Sequence, residues 1–78
     1  MQLTRDEIAE SASFTKNPAV AVAALRSTGH IFNAEQQQRL VDTLANGENK
    51  RFASQAIVSV EQLTRAQKVQ LVKAISPE

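Results

Sequence analysis

Three helix-start signals recur along this chain at nearly constant spacing, and they constrain the fold more than any other feature. Leu3-Thr4-Arg5-Asp6-Glu7, Phe32-Asn33-Ala34-Glu35-Gln36 and Leu63-Thr64-Arg65-Ala66-Gln67 each set an apolar residue before Thr or Asn, with Glu or Gln three positions later. In this capping-box pattern the Thr or Asn side chain takes an orphan amide of the first turn. The Glu or Gln reaches back to the amide of the cap itself. The starts lie 29 and 31 residues apart in a chain of 78. That spacing predicts short helices with a period close to one helical hairpin.

Apolar spacing between the signals predicts five helices. The first runs from after Thr4 to about Phe14, with a weak stripe of Ile8, Ala9 and Ala12. Asp6 and Glu7 stand in its first turn, where negative charge suits the helix dipole. The second opens on Asn17-Pro18, a good cap followed by the residue that loses least at the first helical position. It is expected to bury Val20, Ala21, Ala24 and Leu25 and to end near Gly29. The third, capped by Asn33, carries Leu40, Val41 and Leu44 on one face and ends at Asn46-Gly47. The fourth is expected to be capped by Asn49, with Phe52, Ala53, Ala56, Ile57 and Val60 inward. Ile57, Val58 and Val60 would suit a strand, but the i, i+4, i+5, i+8 spacing favours a helix. The fifth opens at Thr64, carries Leu71, Val72 and Ile75, and stops at Ser76-Pro77.

The second half superposes on the first with one gap. Asn17, Val20, Ala21, Ala24 and Leu25 match Asn49, Phe52, Ala53, Ala56 and Ile57 at an offset of 32. Phe32, Leu40, Val41 and Leu44 match Leu63, Leu71, Val72 and Ile75 at an offset of 31. The fold class expected is all-α: a half unit followed by two αα-hairpins in a single domain, as a compact bundle or a short α-solenoid. Short connections make consecutive helices antiparallel neighbours. The stretch from Asn17 to Ile75, with Ala-Ala-Leu at 23–25 and Leu-Val-Asp-Thr-Leu at 40–44, resembles HEAT-like repeats of about 30 residues. The second unit departs from the first in having Glu61 where Gly29 follows the earlier helix.

Composition narrows the functions open to the chain. It has no Cys, so neither a disulfide staple nor a thiolate metal site. It has no Trp or Tyr and only Phe14, Phe32 and Phe52, which leaves little for an aromatic stacking platform. The longest apolar run, Ala19 to Leu25, cannot span a bilayer. The first residues lack the basic segment and apolar core of a signal peptide, so a cytoplasmic protein is expected.

No constellation carries catalysis or a cofactor. Asp6, Glu7 and Glu10 form an acidic cluster, but a helix start explains them. His30 is the only His and follows Gly29 in a turn, where a solvated or helix-end role fits better than a metal site. Ser11, Ser13, Thr15, Ser27 and Thr28 lack a His–acid pattern around them. With Gly29 and Gly47 as the only glycines, neither a phosphate loop nor a Gly-x-Ser-x-Gly elbow exists. The chain is read as no enzyme, with no metal and no cofactor.

What remains is a binding role. The net charge of +1 hides an asymmetry. Residues 1–48 hold Arg5, Lys16, Arg26 and Arg39 against six acids. Residues 49–78 hold Lys50, Arg51, Arg65, Lys68 and Lys73 against Glu61 and Glu78. Aligned caps put Ile8, Gln37 and Lys68 at one position beside the apolar face. That predicts a partly open groove bordered by Gln37, Arg39, Lys68 and Lys73. A non-enzymatic protein–protein interaction module is the reading preferred: an adaptor, assembly factor or small inhibitor of the sort bacteria and phages encode. Its partner would be another protein or a second copy. One alternative is a DNA-binding regulator in which the fourth and fifth helices imitate a helix-turn-helix, with Arg65, Gln67, Lys68 and Gln70 facing a groove. Another is a structural subunit of a larger assembly.

Overall fold

The computed structural model describes residues 4–28, 32–48 and 50–76. It contains α1 (Arg5–Ser13), α2 (Pro18–Thr28), α3 (Ala34–Asn46), α4 (Arg51–Ser59) and α5 (Arg65–Ile75). All three capping boxes form. The Glu7, Gln36 and Gln67 amides donate to Thr4 Oγ1 (3.1 Å), Asn33 Oδ1 (2.8 Å) and Thr64 Oγ1 (3.1 Å). In return the cap amides donate to the Oε1 atoms of Glu7, Gln36 and Gln67, each at 3.1 Å. Asn17 caps α2 as expected, its Oδ1 accepting from the Ala19 amide at 3.0 Å.

α4 starts differently. The expected cap, Asn49, lies outside the described residues, as do Gly29, His30 and Pro77. Lys50 occupies the position before Arg51 with helical backbone and no side-chain cap. Its ammonium instead donates to the Ala45 carbonyl at 2.9 Å, in the last turn of α3, where a cation suits the helix dipole. Gly47 ends α3 in extended backbone, at φ −68° and ψ 152°. Its smallness matters for space: a Cβ there would sit 3.3 Å from Pro18 Cγ and 3.3 Å from the Thr43 carbonyl oxygen.

The helices stack in two rows. α1, α3 and α5 form the long row, with α1 against α3 and α3 against α5. α2 and α4 form the short row, packed on each other and on the long row. Leu25, Leu40, Leu44 and Leu71 are fully buried between the rows, with Ala21, Val41, Ala53 and Ala56 around them. The alanines of α2 and α4 keep those helices close. The Cα radius of gyration is 12.0 Å, near the value of about 11.5 Å expected of a compact chain this long. No helix among the described residues is long and apolar enough to cross a membrane.

Three expected faces are turned. In α2, Val20 is exposed and Val22 is buried. The run from Ala19 to Leu25 is wholly apolar, so no polar residue marks its outer side and the spacing leaves the phase open. In α1 only Ala9 of the expected stripe is buried; Ala12 is half-buried and Ile8 is exposed. In α5, Leu71 is buried but Val72 is exposed. α5 is the last helix of the long row, and no described element covers that side of it.

Candidate functional site

The residues between helices of the long row are largely polar. At the start of α3, Gln36 uses Oε1 for its own cap while Nε2 donates to Glu10 Oε1 of α1 at 3.0 Å. At the start of α5, Gln67 uses Oε1 for its own cap while Nε2 donates to Gln38 Oε1 of α3 at 3.2 Å. A carboxamide can do both jobs because it carries an acceptor and two donors; a carboxylate can do only the first. Glu7 occupies the same position in α1, the first helix of the row, where only the cap needs an acceptor.

Two seams result. Between α3 and α5, Gln37 Nε2 donates to Gln67 Oε1 (2.7 Å) and to the Gln62 carbonyl (3.1 Å). Beside them Gln38, Asp42 and Gln70 share a triangle of hydrogen bonds at 2.7–2.9 Å. Between α1 and α3, Arg39 donates to Glu10 (2.9 Å), Ser13 Oγ (3.1 Å) and Glu35 (3.3 Å). Its guanidinium lies 4.3 Å from the centre of the exposed Phe14 ring. No buried side-chain nitrogen or oxygen among the described residues lacks a partner.

The acidic cluster lies on this second seam. Asp6, Glu7, Glu10, Ser11 and Gln36 line an open depression of about 460 Å³. Hydrogen bonds from Gln36 first, then Arg39, hold the Glu10 carboxyl below the ordinary Glu value of 4.5. The Thr4 amide, then its hydroxyl, does the same for Glu7. Both shifts favour the ionised carboxylate, the opposite of what a general acid at neutral pH requires. No group of three or more metal-ligating side chains occurs among the described residues.

The four residues expected to border one groove are not brought together. Gln37 is buried against α5, and Arg39 points the other way, to α1. Lys68 and Lys73 are exposed on α5. The four proposed nucleic-acid contacts also divide. Arg65 and Lys68 are exposed, whereas Gln67 is buried and Gln70 half-buried, with both carboxamides bonded to α3.

The expected groove includes Lys68 and Lys73 but not Val69 and Val72, which lie exposed between them on the outer face of α5. On that face Lys68, Val69, Val72 and Lys73 match Gln37, Gln38, Val41 and Asp42 of α3 at the offset of 31. In α3, Gln37, Gln38 and Asp42 bond to α5, and Val41 is fully buried. In α5 the four matching residues face solvent, with Val69 and Val72 each 45% exposed. The offset itself was the available signal. Position by position it turns two carboxamides, a valine and a carboxylate into two lysines and two valines. No protein-family model, characterised protein or solved structure matches this chain.

Proposed function

We propose that this protein is a non-enzymatic protein–protein interaction module that works through the outer face of α5. The observation supporting this reading is the pair of half-exposed valines, Val69 and Val72, flanked by Lys68 and Lys73 on the side where α3 receives its own neighbour. An apolar stripe ringed by charge at the end of a helical row is the usual form of a docking surface. The two rows and the 31-residue offset support reading the chain as a short HEAT-like stack whose next position is filled by a partner. The inward-facing Gln67 and Gln70 leave the DNA-binding alternative with Arg65 and Lys68 alone, a small electrostatic footprint.

Affinity capture from host lysate tests this reading, with the tagged wild type beside Val69→Gln/Val72→Gln and with nuclease added throughout. The expected result is a protein held by the wild type in near-equal amount, and lost or reduced about tenfold in the variant. Retained material that disappears on nuclease treatment, and otherwise ignores the two valines, would favour nucleic acid instead.

A further inference from the structure

We infer that the outer face of α5 takes an acidic amphipathic helix of another protein, laid parallel to α5 as the next member of the long row. This rests on the docking reading above and gives the partner a chemistry.

The charge of the face selects the sign. α5 carries Arg65, Lys68 and Lys73 and no acid. All three are exposed, and none of their side chains bonds a described residue. At 3.6 residues per turn, Lys68, Val72, Arg65, Val69 and Lys73 fall in that order within an arc of about 140°, with the lysines at its edges and the valines inside.

The seam between α3 and α5 supplies the register. The same arc on α3 holds Gln37, Val41, Gln38 and Asp42, and α5 is seated on it. Gln67 bonds Gln37 and Gln38, and Gln70 bonds Gln38 and Asp42, so the two helices run parallel. At the offset of 31, Gln37 and Asp42 become Lys68 and Lys73. A lysine ammonium only donates. A helix seated on α5 in the same register brings its counterpart of Gln67 to Lys68 and its counterpart of Gln70 to Lys73. Both must therefore accept, and carboxylates at i and i+3 do so while cancelling the charge. Leu71 and Ala74 share the side of α5 that carries Gln67 and Gln70. Their counterparts at i+4 and i+7 are apolar and cover Val69 and Val72, in the manner of a helix laid along an apolar groove.

The chain itself does not supply this helix. Its acidic helix, α1, commits Glu10 to Gln36 and Arg39 of its own α3, and Phe14 lies over Arg39. A second α5 brings lysines against lysines with no acid between them. The valines within the arc also favour protein over nucleic acid, whose phosphates find no donor there. One helix face buries less than about 1,200 Å² in total, the range of weak and transient contacts. Charges at its rim set the partner's sign and the rate of encounter, and are screened once the Debye length falls below about 10 Å.

Peptide display against the full chain tests this. The library holds capped amphipathic helices in which positions i and i+3 are Glu, Gln or Lys, and positions i+4 and i+7 are apolar or polar. The wild type is expected to enrich Glu at both charged positions with apolar residues at the other two. Binding of the selected peptide is expected to weaken about tenfold or more from low to high salt. Lys68→Glu/Lys73→Glu is expected to enrich Lys at the same two positions, a reversal that a merely damaged face would not give. Circular dichroism confirms that the variants remain folded. Enrichment of Gln or Lys by the wild type overturns the acidic partner and leaves the docking face. Acidic peptides held equally by Val69→Gln/Val72→Gln overturn it as well, since charge alone would then bind them, as it would a nucleic acid. So does a wild type that enriches no peptide over that variant. In either of these last two cases the lysate capture decides the wider reading. A protein lost in Val69→Gln/Val72→Gln keeps the docking surface with a partner of another shape, and no loss removes both.

Discussion

α3 and α5 share one apolar spacing in sequence and stand in different surroundings in the structure. Leu40 and Leu71 stand at equivalent positions and both are fully buried, because each faces the short row. One residue further on, Val41 is fully buried and Val72 is 45% exposed. The periodicity of the two segments is alike; what differs is whether a neighbour follows in the row. Burial on the face toward the short row is thus a property of the helix. Burial on the face along the row is a property of its place in the stack.

The largest expected effects lie where the two helices agree. Leu40→Ala and Leu71→Ala should each cost about 2–5 kcal/mol, since each removes a side chain from between the rows and leaves a cavity. Chemical denaturation measures this, and a chain this small has so thin a margin that either variant is expected to be largely unfolded at 37 °C. A loss under about 1 kcal/mol at Leu71 alone would mean that α5 is not held by the core as α3 is. Val41→Ala should come next, at about 1.5–2.5 kcal/mol from two lost methyl groups and a small void.

The polar seams give the next step down. Gln67→Glu keeps the acceptor for the Thr64 amide but removes the donor to Gln38, and it brings a carboxylate into a buried position. A loss of about 1–3 kcal/mol is expected in a thermal or urea melt. Glu7→Gln, the same exchange reversed at the equivalent position of α1, should cost under about 0.5 kcal/mol because the cap needs only an acceptor. Similar losses at the two sites would sink the idea that Gln is required wherever a helix follows another in the row.

Acid should separate the two seams as well. Glu7 and Glu10 have folded-state values held below 4.5. Below the unfolded value the unfolded chain binds more protons than the folded one, so stability rises with pH there. The contribution of these carboxylates is complete above 4.5 and is lost as pH falls through the lowered folded values. Hydrogen exchange read by NMR is expected to show amides of α1 opening on acidification before those of α5, which the uncharged carboxamides of Gln37, Gln38 and Gln67 hold to α3. Simultaneous opening of both ends would show that Glu10 does not hold α1 in place.

How much of this was legible depends on whether the signal is local. The caps were readable because Thr4 and Glu7, or Asn33 and Gln36, meet within one turn whatever the tertiary structure does. The α3 core was readable because polar residues bracket Leu40, Val41 and Leu44. The phase of α2 was not, since its apolar run has no polar residue to mark the outside. The seams were hidden for another reason. Nothing local in Gln36-Gln37-Gln38 separates one carboxamide from the next, yet they serve α1, α5 and Asp42 in turn. Gln37 and Arg39, both expected at the border of one groove, are two residues and so about 200° apart on a helix. They belong to opposite neighbours. Only the knowledge that α3 lies between two others assigns them.

The smallest effect is the sharpest test of the comparison. Val72→Gln removes a half-exposed valine from α5 and replaces a β-branched residue by a better helix former, a gain of a few tenths of a kcal/mol. The lost partial burial offsets that gain, so the net change in stability should fall within about 0.5 kcal/mol. Val41→Gln, at the matching position of α3, puts an amide where nothing is exposed and should unfold the chain. The pair thus measures the neighbour directly, because helix propensity changes equally at both sites and cancels. A loss above about 1 kcal/mol for Val72→Gln in dilute, high-salt solution would mean that the outer face of α5 supports the fold of the single molecule. A near-zero loss there, together with weaker capture of a protein partner, would mean that this valine serves contact with another chain.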